Sequence, residues 1–263
     1  MNEKSIAVSA VTGENITELK ERVARLILPR GNKLGIVNGI VKRGDFAVLV
    51  TPIDTAAPKG RMILPQQQVI RDVLDSGAAN IVVKEDMLKT ALESLSVKPA
   101  VVITDSQAFG AVSKITPKDI KLTSFSILMA NFKGMLETAV HGAAAMDKLK
   151  SGDRVLIAEG CTHHRQCDDI GSVKIPKWLR EYTGCELDLT IVPGHEFPEK
   201  LDRYSLVIHC GGCMLTEKEI FSRMERARKC GVPFTNYGIA IAQMHGILRR
   251  SLEVFPDILK ILE

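Results

Sequence analysis

The chain has 263 residues, of which 45% are hydrophobic and 25% charged, with 35 basic and 31 acidic side chains and a net charge of +4. This balance is typical of a globular protein long enough for two modest domains. The basic residues form no block and only 5% of residues are aromatic, which argues against a nucleic-acid-binding surface. No apolar run reaches the roughly 18 residues that span a bilayer, and the opening residues do not resemble a signal peptide, so we expect a cytoplasmic protein.

The first 29 residues contain one predicted strand and one predicted helix. Residues 5–10 have the composition of a strand, and an amphipathic pattern predicts a helix that ends near Leu28. A strand, the Ser9-Ala10 turn, Gly13 and a last helix resemble the end of a small GTPase domain. The P-loop sequence Gly-x-x-x-x-Gly-Lys-Ser/Thr does not occur, and without it no loop can cradle phosphates. We therefore expect no GTP hydrolysis and interpret residues 1–29 as a remnant of a GTPase domain.

From residue 46 onward, short apolar runs alternate with helical patterns. The predicted strands cover residues 46–50, 81–83, 100–104, 154–158, 186–192 and 204–207. The predicted helices cover residues 66–74, 86–95, 106–113, 133–149 and 217–229. Such alternation is typical of parallel sheets with helices packed on their faces. We predict an α/β fold of two small parallel-sheet domains flanked by helices, at residues 30–124 and 125–263, preceded by the strand-helix remnant.

Two short segments that contain cysteine and histidine carry the strongest chemical signal. Cys161 and His163 follow one predicted strand, whereas His209, Cys210 and Cys213 follow another. In a reducing compartment, clustered cysteines indicate metal ligands or reactive thiols rather than disulfides. Because the carboxyl ends of parallel strands meet at one edge of a sheet, we expect the two segments to lie together.

Two glycines and a helix start accompany the second segment. Gly211 and Gly212 leave room for backbone amides to approach an ion or a cluster sulfur. Thr216 and Glu219 form a capping-box pattern at the start of the next helix. This start places Cys213 near the positive end of the helix, which favours a thiolate.

Spacing alone leaves several chemistries open. An iron-sulfur cluster would use Cys161, Cys210 and Cys213. Tetrahedral zinc would take the same thiolates together with His163 or His209. A thioredoxin-like redox pair would use Cys210 and Cys213 without the remote Cys161. The plainest alternative is a set of packed thiols near a core histidine.

The other three cysteines are left out of this ligand set. Cys185 begins an apolar strand and Cys230 ends a helix, so we predict buried thiols at both positions. Cys167 lies in a polar loop shortly beyond Cys161, and its role is ambiguous.

The spacing Cys-x-His followed by His-Cys-x-x-Cys resembles the cluster domain of HydF, a family of FeFe-hydrogenase maturation proteins. Segments within residues 51–66 and at residues 236–238 also look like parts of this family, so the resemblance covers nearly the whole chain. It implies a GTPase domain, a dimerisation domain and a cluster domain in that order. By this resemblance, residues 30–124 form the dimerisation domain and residues 125–263 bind the cluster.

The resemblance also implies a cofactor. The family binds a 4Fe-4S cluster through three cysteines, here Cys161, Cys210 and Cys213, and leaves one iron with an exchangeable ligand. That open position suits a carrier, because a two-iron precursor of the hydrogenase active site must be attached and later released. Three side chains are candidates for a weak fourth ligand or a supporting contact: His163, His209 and Asp54.

The expected function is that of a scaffold or carrier rather than an enzyme. By resemblance, the protein would form a homodimer and would have the radical-SAM maturases HydE and HydG and the apo-hydrogenase HydA as partners. The competing function is a zinc-stabilised structural or interaction module. A third is a thiol oxidoreductase, which should survive replacement of Cys161 by Ser.

Overall fold

A computed structural model describes residues 5–26, 35–52, 62–160, 169–194, 196–212 and 215–263. The chain divides into two compact units, residues 1–34 and residues 35–263. Among the described helices, none is long and apolar enough to cross a membrane.

The smaller unit has turns followed by helix α1, Ile16–Leu26. The side chain of Asn15, just before this helix, donates a hydrogen bond to the Ala7 carbonyl oxygen (3.0 Å). The strand predicted at residues 5–10 is not formed, whereas the helix is confirmed. A strand needs a neighbour for its backbone groups, and the described part of this unit contains no second strand.

The first half of the larger unit contains a four-stranded parallel sheet. Its elements in chain order are β1 (Phe46–Val50), α2 (Leu64–Asp75), β2 (Ala79–Val83), α3 (Leu88–Ser94), β3 (Val101–Thr104), α4 (Phe109–Ile115) and β4 (Lys121–Ser124). The strand order is β2-β1-β3-β4. The central strands β1 and β3 are almost wholly buried, as expected for a parallel sheet that helices cover on both faces.

The second half contains another four-stranded parallel sheet. Its elements are α5 (Phe125–Phe132), α6 (Leu136–Ala144), β5 (Arg154–Ala158), α7 (Ile175–Thr183), β6 (Asp188–Val192), β7 (Leu206–His209), α8 (Glu217–Lys229), β8 (Phe234–Asn236), α9 (Tyr237–Met244), α10 (Leu248–Ser251) and α11 (Pro256–Leu259). The strand order is β6-β5-β7-β8. A strand order that leaves β5 and β7 adjacent in the centre brings their carboxyl ends to one edge.

The predicted α/β class with two parallel sheets is confirmed, and β1, β5 and α8 have the predicted bounds. The sequence does not predict β4 and β8, because both are short and mix apolar with polar residues. The helix predicted at residues 133–149 is shorter. Gly134 has a left-handed backbone (φ 69°) that separates α5 from α6, and α6 is followed by a 3₁₀ turn, Ala145–Lys148.

Each sheet has one edge strand that packs against a helix of the same chain. Helix α6 packs against β8, and α10 packs against β4. Gly142 allows the first approach, because a Cβ at this position would lie 2.1 Å from the Phe234 carbonyl oxygen. The opposite edges are β2 and β6, and no other strand within the described ranges pairs with their outer sides.

Arg250 of α10 forms hydrogen bonds that connect the second half of the larger unit to the first. Its guanidinium donates to the Ser113 and Thr116 carbonyl oxygens at 2.6 and 2.7 Å, at the carboxyl end of α4. These carbonyls would otherwise lack helical partners. The contact therefore links α10 to the end of α4.

Gly142→Ala should lower the free energy of unfolding by about 1–3 kcal/mol, because the added methyl group collides with β8 backbone that cannot move aside. Chemical denaturation of the metal-free protein measures this loss. Gly110→Ala is the matched control: it is also helical, but its Cβ would meet no atom within 4 Å, so its stability should stay equal or rise. Equal destabilisation by both variants would contradict the packing of α6 on β8.

Candidate metal centre

Strands β5 and β7 are neighbours, and they end at the same edge of the second sheet. Ala158 lies opposite His209 in their register, and the backbone N–H of Cys210 donates to the Ala158 carbonyl oxygen (2.8 Å). The structure therefore describes two of the predicted site residues, His209 and Cys210. The remaining ones lie outside the described residues: Cys161, Cys213, His163 and Asp54.

The Cys210 thiol accepts hydrogen bonds from backbone N–H groups. Gly160 and Gly212 donate to its Sγ at 2.9 and 3.3 Å. Such donors stabilise a thiolate more than a thiol, because they compensate the negative charge on sulfur. Hydrogen bonds to thiolate sulfurs also influence clusters that cysteines bind. The surroundings of Cys210 thus suit a metal-binding thiolate.

Glycines are required by the close packing around this thiol. A Cβ at Gly160 would lie 3.2 Å from the Cys210 Sγ, and a Cβ at Gly212 would lie 2.4 Å from the Ile220 Cδ1. Gly212 also has a left-handed backbone, with φ +60°. Gly211 has open space around its Cα. The predicted approach of a backbone amide to sulfur is therefore made by Gly212.

His209 is fully buried next to Cys210. Its Nε2 lies 3.1 Å from an Arg223 guanidinium nitrogen, and its Nδ1 lies 2.7 Å from the Cys210 carbonyl oxygen. Because arginine only donates, Nε2 accepts, and Nδ1 carries the proton that is donated to the carbonyl. Burial lowers the pKa of His209 to about 4. The ring is therefore neutral at neutral pH.

Both ring nitrogens of His209 are thus occupied. If Nε2 turned toward a metal ion, a buried Arg223 donor would lose its acceptor, at a cost of about 1–3 kcal/mol. In this arrangement, both ring nitrogens serve contacts within the protein, and one of them holds the Cys210 carbonyl.

Helix α8 begins directly after the cysteine segment. The Thr216 hydroxyl accepts from the Glu219 N–H (3.2 Å), which confirms the predicted N-cap. The Glu219 carboxylate accepts from the Arg223 Nε (2.8 Å), and another Arg223 nitrogen donates to the Gly194 carbonyl oxygen (3.1 Å). Arg223 is only 1% exposed. A buried cation therefore lies two hydrogen bonds away from the Cys210 carbonyl.

A cavity of about 250 Å³ opens beside Cys210. Residues that follow β3, β4 and β7, together with the end of β8, line it, so it lies where the strand ends of the two sheets meet. The amino ends of α2, α5, α8 and α9 also line it. Each carries part of the positive charge of a helix dipole. The cavity is therefore biased toward anionic groups.

Charged side chains of both signs line the same cavity. The Lys133 ammonium contributes a cation and donates to the Gly211 carbonyl oxygen (3.3 Å). Asp105 and Glu217 contribute carboxylates, and the Asp105 carboxylate accepts from the Gln66 side-chain amide (2.6 Å). The cavity thus combines fixed dipoles with groups that can hydrogen-bond a polar occupant.

Sequence reasoning misses Arg223, Lys133 and the contribution of α2 to the cavity. The sequence weakly indicates that Arg223 is buried, because this residue shares a face of α8 with the buried residues Ile220 and Met224, where a solvated arginine is not expected. The sequence gives no indication that Lys133 and α2 lie at the cavity, because their position there depends on how the two sheets pack.

Within the described ranges, no three side chains of His, Cys, Asp or Glu form a group that could hold a metal ion. Of the cysteines left out of the ligand set, Cys185 is half-buried and Cys230 is exposed. The predicted burial is wrong for Cys230, because this residue is the C-cap of α8 and lies at a surface turn.

The fold and the thiol geometry define a class: a protein of two parallel α/β sheets with a cysteine thiol beside a cavity at the strand ends. Residues 36–134 match the family model described as the hydrogen maturase F dimerization domain, and residues 137–254 match that of the hydrogen maturase F tetramerization domain. The chain belongs to the hydrogen maturase F (HydF) family, and this membership implies a role in hydrogenase maturation. No curated protein matches the chain.

The two matches confirm the resemblance found in the sequence. The descriptions of both family models name self-association, so both halves of the larger unit match oligomerization domains. Neither match extends to residues 1–35, and no GTPase domain is detected.

Gly212→Ala should destabilise the metal-free protein by about 1–3 kcal/mol, because the new methyl group meets Ile220 and the left-handed backbone is unfavourable. Gly211→Ala, one residue earlier, should leave the free energy of unfolding unchanged, since nothing lies near its Cα. Urea denaturation of the two variants side by side checks this. A comparable loss in Gly211→Ala would show that the loop is packed differently.

Proposed function

We propose that this chain is a scaffold that carries a 4Fe-4S cluster on Cys161, Cys210 and Cys213 and holds the two-iron precursor of the FeFe-hydrogenase active site for delivery to the apo-hydrogenase. The observation that carries the proposal is the Cys210 thiol, which accepts two backbone N–H bonds and lines a cavity at the strand ends. When bound, such a cluster supplies an iron open to exchange, because only three thiolates hold it.

The bond from Gly160 to the Cys210 sulfur favours a site built from both segments. Gly160 directly precedes Cys161 in the chain, so Cys210 is tied to the segment that follows β5. A redox pair of Cys210 and Cys213 alone would need no such contact. The geometry therefore supports a three-thiolate site over a thioredoxin-like pair.

The cavity beside Cys210 suits an anionic cargo. The amino ends of four helices and the Lys133 ammonium line it together with the Asp105 and Glu217 carboxylates, and helix amino ends are natural anion sites. A thiolate-bound cluster and an iron precursor that bears cyanide ligands both carry negative charge. The same surroundings would favour both, and the chain's own residues would bind and orient the cargo without performing chemistry on it.

The contacts of His209 bear on which side chain would occupy the open iron position. Because both nitrogens of this ring are engaged, we assign His209 a supporting role. Asp54 and His163 are then the candidates for the exchangeable ligand. A carboxylate or a neutral imidazole would bind this position weakly enough to be displaced by cargo.

The proposed partners are those of the family, the maturases HydE and HydG and the apo-hydrogenase HydA, together with a second copy of the chain. For the second copy, the outer edge of β2 is a suitable surface, because no strand within the described ranges pairs with it. The Ala79 N–H and the Val83 carbonyl bond toward β1, so the alternating residue Val82 directs its backbone groups outward. Unpaired groups at a sheet edge are a template for another strand.

Anaerobic reconstitution with iron and sulfide tests the scaffold. We expect a brown protein with a reducible cluster in absorption and EPR spectra, and loss of the cluster in Cys161→Ser, Cys210→Ser and Cys213→Ser. Cys185→Ser and Cys230→Ser are matched controls that should retain it, since they lie outside the proposed site. A colourless protein that retains zinc would contradict the proposal and favour the zinc-stabilised module.

Val82→Pro tests the edge of β2. Proline removes an outward N–H while the bonds between β1 and β2 stay intact, so self-association measured by light scattering should weaken roughly tenfold. Val82→Thr, which keeps the N–H, should associate like the parent protein. If Val82→Pro also associates like the parent, the copies do not meet at this edge.

A further inference from the structure

Arg223 is the largest fully buried side chain within the described ranges. Its side chain is 1% exposed, whereas that of its ion-pair partner Glu219 is 43% exposed. A buried guanidinium needs acceptors for its donors. The structure supplies three, namely the Glu219 carboxylate, the Gly194 carbonyl and the His209 Nε2.

Only the third contact leads to the metal centre. His209 accepts from Arg223 and donates to the Cys210 carbonyl, so two directional hydrogen bonds connect the guanidinium to the cysteine backbone. The imidazole ring is held in place by Phe234, which stacks on it with ring centroids 5.7 Å apart. A ring held on its face and at both nitrogens can orient the Cys210 carbonyl.

The charge of Arg223 is incompletely compensated near Cys210. The carboxylate that pairs with it is partly in water, where its field is screened, while the guanidinium lies in the low-dielectric interior. A net positive potential at a cluster favours the reduced form, which carries one more negative charge. The buried cation should therefore ease reduction of a cluster bound through Cys210.

We propose that Arg223 is a positioning residue of the metal centre. It holds His209 in the Nδ1–H tautomer, fixes the Cys210 carbonyl through that ring, and raises the reduction potential of the bound cluster. The redox part rests on the proposed function, whereas the tautomer is a property of the metal-free chain. Outer contacts of this kind orient ligands and tune metals.

The first test is nitrogen NMR of the metal-free protein labelled at histidine, with the His209 signal assigned by its loss in His209→Asn. We expect the Nδ1–H tautomer at His209 in the parent. In Arg223→Met, which keeps side-chain length but has no donor, only the Cys210 carbonyl still favours this tautomer, so the Nε2–H form should become measurable; Arg223→Lys should suppress it again. An Nε2–H tautomer in the parent, or no Nε2–H form in Arg223→Met, overturns the positioning role.

The second test is an EPR-monitored redox titration of the reconstituted protein. Arg223→Met should shift the reduction equilibrium at least tenfold toward the oxidised cluster, which is about 59 mV for a one-electron couple. Arg226→Met is the matched control, because Arg226 lies over the same Phe197 ring at the same 5.1 Å and donates instead to the Pro198 carbonyl oxygen. Equal shifts in the two variants, or none in Arg223→Met, overturn the electrostatic role.

Failure of the proposed function can be distinguished from failure of the positioning role. If the parent protein takes up no cluster, the proposed function fails, and the tautomer measurement alone decides whether Arg223 positions His209.

If Arg223→Met does not fold, Arg223→Gln replaces it, because this variant keeps an N–H donor and removes the charge. The tautomer should then persist while the reduction equilibrium shifts about tenfold toward the oxidised cluster, or about 59 mV; an unchanged potential or a lost tautomer overturns the corresponding half of the proposal.

Discussion

The parallel pairing of β5 with β7 is the constraint on which the site depends. It places Ala158 opposite His209 and lets the Cys210 N–H bond back to the Ala158 carbonyl, so the Cys210 sulfur comes within hydrogen-bonding distance of the Gly160 N–H. A register slip of one residue would turn the side chains of β7 to the opposite faces. Neither the Cys210 bond to Ala158 nor the Gly160 bond to the Cys210 sulfur would survive.

Two kinds of surroundings meet at Cys210, and they have different consequences. On the cavity side, helix amino ends and Lys133 favour negative charge without fixing its position. On the interior side, His209 and Arg223 form a hydrogen-bonded network in which each side chain has more than one partner. This division would suit the proposed carrier function, because a rigid thiolate would keep its metal while an open, polar cavity would let cargo enter and leave.

The sequence predicts most of the sheets and part of the site. Strands such as Arg154–Ala158 consist almost wholly of buried apolar residues, and their periodicity and spacing indicate parallel sheets with cysteines at the strand ends. It does not reveal β8, which has three residues, or Arg223, whose burial depends on an acceptor ring fourteen positions away. Nor does it reveal the cavity, whose walls come from both sheets and form only when the two sheets pack together.

The most direct test of the central claim is Mössbauer spectroscopy of the reconstituted protein before and after addition of cyanide. We expect a 4Fe-4S cluster in which one iron site changes its parameters with cyanide while the others do not, since three thiolates leave one position exchangeable. A cluster whose iron sites are all unaffected, or a protein that holds no iron, would contradict it.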